Sequence, residues 1–382
     1  MKHIIIFLLA TAFSVAVCGQ TKNVTGKLST TDTADLTILN IFPDSFPNVS
    51  VVFKAETRKG EPVWNLTKEK MAVKENSQPC NVVSLAQISK FKPINLGMVI
   101  DHSGSMLGEG VYATDNNGKI LYWLDSNMNP ISPEDYKSPL GNAKAAVKTF
   151  VGTFNTKKDF ISVIGFSDQV YEVLPPTQDL TQINALVDSM QAVGSTAFYD
   201  ALINGIEEVK KADGVKVLVA LTDGQDNSSK AKWNEVVEIA NKAEVPVYII
   251  GLGNVNSDTL SMIAKSTNGQ YYYTNSSSSL NVVYQDISKH VQAFYELVYH
   301  SPNFASADST RQIALSFEVD SLYLVTNPAT KKLPAEVVAH LAKKEREKQY
   351  PLYGGIALIV LVAGGTIVYT WQKRKANPNQ HI

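Results

Sequence analysis

Two cysteines in 382 residues leave little sulfur for any purpose. Cys18 falls in the leader, so Cys80 stands alone and an internal disulfide framework is excluded. Cys80 reads as a small buried hydrophobe, with an intermolecular bridge as the alternative. No sign of charge dominates: 35 Lys and Arg face 36 Asp and Glu, for a net charge of −1. No global field therefore recruits a polyanion. A basic stripe with interleaved aromatics is also missing, so nucleic acid is not an expected partner. Catalytic groupings are scarce too. There is no Ser-His-Asp set, no phosphate-binding glycine loop and no second cluster of metal-binding carboxylates. The expectation is a protein that is not an enzyme. What is present is ordinary for a folded chain, 44% hydrophobic and 19% charged, with room for two or three domains.

Hydrophobic runs sit at both ends. "MKHIIIFLLATAFSVAVCGQ" reads as a secretory signal peptide over residues 1–20, cleaved near Gly19 or Gln20. "VAVCG" also has the outline of a lipoprotein box ending at Cys18, which the bulky Val17 fits poorly. Between Tyr350 and Gln372 there is no charge. Residues 351–371 are long enough, at about 1.5 Å per residue, to cross a bilayer as a transmembrane helix. Tyr350, Tyr353, Tyr369 and Trp371 mark its two ends, as interfacial aromatics do. A buried core helix is the alternative. Residues 372–382 then form a cytoplasmic tail and residues 327–349 a charged, helical stalk. The expected product is single-pass in a cell membrane, with its N-terminal domains periplasmic or extracellular.

Between these ends the pattern changes twice. Residues 20–40 read as a loose polar leader. Residues 41–92 alternate in short β-rich runs and read as a small β-sandwich-like domain, completed by strands within residues 294–326. Residues 93–298 instead alternate near-continuous Val/Ile/Leu runs with helical patterns. That is the signature of an α/β domain with a doubly wound, mostly parallel sheet. "DFISVIGFSD" and "QVYEVLPP" are close enough in sequence to form a hairpin. An insert, residues 107–140, leaves the first strand of this domain. "DNNG" between "VYAT" and "KILYWL" marks a hairpin within it.

Ligands of such sheets bind at the carboxyl ends of the strands. Three loops meet that description. The first strand, "INLGMVID", ends in "DHSGSM", with Asp101, Ser103 and Ser105. Gly104 supplies turn freedom there, and strand alternation points His102 outward. The second loop, "VGSTAFYDAL", holds Thr196. The third, "LVALTDGQDNSS", holds Asp223 directly after a buried strand. Alone, D-x-S-x-S also describes an Asx turn with capping serines. Together the loops offer two carboxylates and three hydroxyls, which suits a hard cation: Mg2+, with Mn2+ or Ca2+ as alternatives. An incomplete shell leaves one position for an acidic side chain of a partner. Asp200 and Asp226 nearby read as caps or solvated charges.

The three motifs, in this order, resemble the metal-ion-dependent adhesion site of von Willebrand factor A domains, over residues 93–298. The resemblance implies a Rossmann-like fold and an ion held by Asp101, Ser103, Ser105, Thr196 and Asp223. It implies direct ligation by Ser103 and Ser105, contact often through water for Asp101 and Asp223, and a state-dependent role for Thr196. The flanking β regions resemble bacterial von Willebrand-type proteins, whereas the long insert departs from the short path usual in the family. The implied function is capture of a protein ligand through the ion, as in adhesion. The alternatives are a scaffold or assembly subunit of a membrane-associated complex and, more remotely, an Mg-dependent hydrolase.

Overall fold

The structure is a computed structural model, and it describes residues 34–43, 45–88, 92–108, 111–117, 120–124, 130–131, 138–302, 310–319, 322–325 and 329–332, with residues 338, 339, 343 and 366. The expected signal peptide and cytoplasmic tail lie outside these residues, as does the expected transmembrane helix apart from residue 366. Among the described residues no helix is long and apolar enough to cross a membrane.

Early strands are β1 (Ala34–Phe42), β2 (Asn48–Thr57), β3 (Met71–Glu75) and β4 (Gln78–Gln87). The α/β unit follows with β5 (Ile94–Asp101), the insert strands β6 (Val111–Thr114), β7 (Ile120–Leu124) and β8 (Pro130–Ile131), then α1 (Pro139–Val151), β9 (Phe160–Phe166) and β10 (Val170–Thr177). It continues through α2 (Leu180–Ser189), α3 (Phe198–Val209), β11 (Val215–Thr222), α4 (Trp233–Ala243), β12 (Val247–Leu252), α5 (Ser257–Ser266), β13 (Tyr271–Thr274) and α6 (Leu280–Gln292). The late strands are β14 (Tyr295–His300), β15 (Thr310–Val319), β16 (Leu322–Val325) and β17 (Ala329–Lys332).

Every residue of β5 is buried, because helices cover both faces of its sheet. Leu96, Met98 and Ile100 pack with residues of α1, α2 and α6 on one side. Val99 packs with residues of α3, α4 and α5 on the other. Each such side chain removed from water contributes roughly 1.5–3 kcal/mol, which is why an unbroken apolar run suits this position. The strand order is β10-β9-β5-β11-β12-β13, parallel throughout except for β10, which returns from β9 as an antiparallel hairpin. β9 lies on one side of β5 and β11 on the other, so the chain reverses its direction of winding between β5 and β11. Crevices at such switch points are where open α/β sheets bind ligands. Asp101 ends β5, and Asp223 follows the last residue of β11.

The remaining long strands run in the order β1-β2-β14-β4-β3-β15-β16, all antiparallel, with β17 also on β15. The sheet bends at β4, where Asn81–Gln87 pair with β14 while Gln78–Cys80 pair with β3. Val51, Phe53, Val73, Leu297, Leu315 and Phe317 fill the core enclosed by the bend. Cys80 lies half-buried beside this core, its thiol pushed up to about 11 by burial first and by the Glu75 carboxylate second.

Two expectations need correction here. Ala34–Asn40 is not a loose leader: it opens β1, pairing with β2 from Ala34↔Thr57 onward. Its apolar residues alternate, and the polar residues before them masked the pattern. Ala329–Lys332 is not helical stalk: it pairs with Thr310–Ile313 of β15, beyond the end of β16. Lys331 and Lys332 sit on an edge strand, where lysine discourages further pairing.

This β unit packs beneath the α/β sheet, at the amino ends of its strands. Val52 and Leu39 join the core of the α/β unit, while their neighbours Val51 and Ile41 face the other core. A bulge between Ile38 and Asn40 lets the two faces separate there. The Asn40 amide donates to the Glu244 carbonyl at 3.0 Å, and His290 Nε2 meets the Gly60 carbonyl at 2.7 Å.

Candidate metal centre

Loop one leaves β5 at Asp101, which is fully buried. Its Oδ1 accepts from the Ser103 backbone N–H at 2.7 Å, and its Oδ2 accepts from the Thr222 hydroxyl at 2.6 Å. Burial pushes the Asp101 carboxyl up, against the lowering effect of these bonds. Ser103 and Ser105 face each other, their Oγ atoms 3.0 Å apart. The Ser105 hydroxyl donates to Asp223 Oδ1 at 2.6 Å, which ties loop one to loop three. Gly104 is needed for close approach rather than for turn freedom. Its N–H donates to the Gly194 carbonyl at 2.9 Å, and a Cβ there would stand 3.2 Å from the same oxygen.

Thr196 sits in loop two, two residues before α3, and is 4% exposed. Its backbone is held by Asn227: the Asn227 Oδ1 accepts from Thr196 N–H, and the Thr196 carbonyl accepts from Asn227 and Ser228 N–H. Loops two and three touch closely enough that a Cβ on Gly224 would lie 2.7 Å from Thr196 Oγ1. Asp226 accepts from Tyr199 N–H, and Asp200 from the N–H groups of Lys230 and Ala231. Both act as backbone ties between α3 and loop three, at some remove from the cradle.

Hydrogen bonds thus link Asp101 to Ser103, Ser103 to Ser105 and Ser105 to Asp223, and Thr196 shares a cleft with Ser105 and Asp223. Ser105, Thr196 and Asp223 line a cleft of about 700 Å3, with Gly108 and Pro139 from the two ends of the insert, and Gln225, Asn227, Asn254, Asn275, Ser276 and Ser277 beyond. The Asp223 carboxyl is pushed up to about 7, by burial first and by the Asp101 carboxylate second. Two carboxylates are thus held near each other, and among the described residues that line the cleft there is no lysine or arginine to neutralise them. Among the described residues no three His, Cys, Asp or Glu side chains gather as a cation site. The hydroxyls are accordingly indispensable donors. An all-oxygen set with surplus negative charge fits a small divalent cation.

Three participants escaped the sequence reading. Thr222 was signalled only by standing next to Asp223. Asn227 carries no local signal. His102 does not point outward: it is 2% exposed, with Nδ1 2.9 Å from the Gln191 carbonyl and Nε2 2.9 Å from Glu172 Oε2. Alternation fails for it because the strand ends at Asp101, so the pleat no longer sets its direction.

The family model of the von Willebrand factor type A domain matches residues 131–289. That range starts inside the insert and omits β5 with its loop, which the insert separates from the rest in sequence and the sheet restores in space. An uncharacterized protein of Synechocystis sp. is 27% identical over 200 residues, 50% of this chain and 40% of its own length. Human inter-alpha-trypsin inhibitor heavy chain H3 is 25% identical over 235 residues, 57% of this chain and 23% of its own. The chain thus spans less than half the length of these curated relatives. Among solved structures, proximal thread matrix protein 1 of the mussel byssus, with a zinc-occupied MIDAS motif, is 20% identical, covers 57% of this chain and 49% of its own, and has a TM-score of 0.42. Over residues 131–289 the chain is thus similar to von Willebrand factor type A domains.

Proposed function

We propose that Asp101, Ser103, Ser105, Thr196 and Asp223 hold one divalent cation, Mg2+ with Mn2+ or Ca2+ as alternatives. The domain then captures a protein ligand whose acidic side chain completes the coordination shell. The observation that carries this reading is the crowding of the Asp101 and Asp223 carboxylates beside the hydroxyls of Ser103, Ser105 and Thr196, with no cationic side chain among the described residues that line the cleft. The ion supplies the positive charge that an acidic ligand needs. The protein's own groups orient it: Thr222 and the Ser103 N–H fix Asp101, and Asn227 fixes the Thr196 backbone. Binding is the role assigned: among the described residues that line the cleft the one ionisable side chain is Asp223, which this reading gives to the ion.

The protein is exported by residues 1–20 and anchored by residues 351–371, with its folded domains outside the cytoplasm. The folded strand β17 favours partners close to the same membrane, as in an assembly or scaffold role. Residues 333–350 alone separate it from the span, and at about 3.6 Å per residue they reach ~65 Å at most.

Calorimetric titration of Mg2+ and Mn2+ into the protein tests the site. The expected result is one ion per chain for the wild type and none for folded Asp101→Ala and Asp223→Ala. A wild type that binds no ion overturns the metal reading. Pull-down from detergent extract with and without chelator separates membrane neighbours from external ligands.

A further inference from the structure

His102 lies where three separate segments meet. Its backbone N–H donates to the Phe166 carbonyl of β9, and its carbonyl accepts from Val193 N–H in loop two, both at 2.9 Å. Its ring reaches Gln191, also in loop two, and Glu172 on the edge strand β10. A carbonyl oxygen only accepts, so Nδ1 carries a proton and donates to Gln191. Nε2 lies 2.9 Å from the Glu172 carboxylate.

The path of Glu172 is built for this contact. To reach His102 from β10 its side chain crosses β9 at Gly165. A Cβ on Gly165 would lie 2.3 Å from Glu172 Oε2 and 2.7 Å from the Met190 terminal methyl. Only glycine leaves that passage open. Tyr171, the neighbour of Glu172, closes the ring from above, its centroid 6.0 Å from that of His102. The His102 ring is therefore buried with Glu172 half-buried beside it, and the contact is held by β5, β9, β10 and loop two.

We propose that His102 is a positioning residue for the cation cradle, held by Glu172 across Gly165, and that this clip sets the spacing of loop one (Ser103, Ser105) against loop two (Thr196). The inference rests on the cradle holding a cation. His102 itself touches no ion. It precedes Ser103 in the chain and binds the same loop that carries Thr196, so its ring fixes the relation between the two sets of donors. Partners of this kind behind a metal site are typically worth 10–100-fold in affinity.

The test uses the full-length protein with Glu172→Gln, His102→Leu, the double variant, and Gly165→Ala, which displaces Glu172 without approaching the cradle. Mg2+ affinity is measured by calorimetry, thermal stability in chelator, and backbone amide shifts of Ser103, Ser105 and Thr196 by NMR without metal. Each single variant is expected to weaken Mg2+ binding at least tenfold, with the double no weaker than the worse single, since one clip is broken in every case. The three amides should shift in all of them. Wild-type Mg2+ affinity in folded Glu172→Gln, or additive losses in the double, overturns the proposal. Glu172→Gln is nearly isosteric and guards against misfolding of His102→Leu. If the wild type binds no Mg2+, the metal reading fails by itself; the clip then stands or falls on the amide shifts, and unshifted amides in Glu172→Gln refute it.

Discussion

Asp223 shows how a single residue reports on burial beside a second carboxylate. Its carboxyl is pushed up to about 7 from an ordinary value of 3.8, by burial and by Asp101. An upward shift means that the chelated fold holds this proton more tightly than the unfolded chain does. The stability from this group is fully present below about pH 4 and is lost as pH climbs through about 7. In chelator the melting temperature should therefore fall between pH 4 and 7 through this group, and Asp223→Asn should flatten that part of the profile. At pH 8 the variant should melt no lower than the wild type in chelator, yet gain nothing from Mg2+, whereas the wild type should gain several degrees. Scanning calorimetry at the two pH values, with and without Mg2+, measures this. A wild type that is equally stable at pH 5 and pH 8 in chelator counts against two crowded carboxylates. The five candidate residues could be picked out because each sits immediately after an apolar run or in a short turn motif. His102 and Glu172 were not: their contact spans 70 positions and depends on a glycine in a third strand.

At the scale of elements, the site depends on the register of β5 against β11. The two strands pair from Ile94↔Val215 to Ile100↔Leu221, and the donors hang from their far ends. The register is set at the near end by Gly214, whose φ is +117°, and by the bond from Val215 N–H to the Pro93 carbonyl at 2.9 Å. A Cβ on Gly214 would stand 2.3 Å from that carbonyl oxygen. Gly214→Ala therefore combines a disfavoured φ with a clash against backbone that cannot rotate away. The expected cost is roughly 2 kcal/mol or more. Urea unfolding should show a lower midpoint at an unchanged slope, and an unchanged midpoint would mean that the turn relaxes freely. Strands such as β5 and β11 could be read from composition, because burial on both faces demands apolar residues at every position. β17 could not. "ATKK" is polar and charged, and it becomes a strand only because the edge of β15 is free beside it, a tertiary circumstance without a local trace.

At the scale of the whole molecule, the chain enters and leaves the α/β unit through one sheet. β14 lies between β2 and β4, so strands on either side of a unit some 200 residues long are direct neighbours. Alternating runs suggest that late strands pair with early ones; they cannot reveal that β14 is inserted between β2 and β4. The bond between the two halves is a buried polar cluster. Glu75 of β3 is fully buried and accepts from the Tyr299 hydroxyl at 2.6 Å and the Ser301 hydroxyl at 2.8 Å. Arg311 of β15, 2% exposed, places its Nε 3.1 Å from the same carboxylate. A buried pair of this kind contributes little over a hydrophobic substitute, but breaking it leaves an uncompensated charge and costs about 3–5 kcal/mol. Arg311→Met should therefore strip that amount from the β unit, whereas Glu75→Leu combined with Arg311→Met should recover part of it. Because the cluster is remote from the carboxyl edge of the α/β sheet, Mg2+ affinity at 25 °C should stay within about twofold of wild type in both. Calorimetric unfolding and titration on the same samples separate the two effects. Equal loss of stability in the single and double variants would show that the hydroxyls of Tyr299 and Ser301, left without their acceptor, dominate the cluster. Loss of Mg2+ binding in folded Arg311→Met would show instead that the lower sheet sets the geometry of the upper site, through the contacts of Asn40 with Glu244 and of His290 with Gly60.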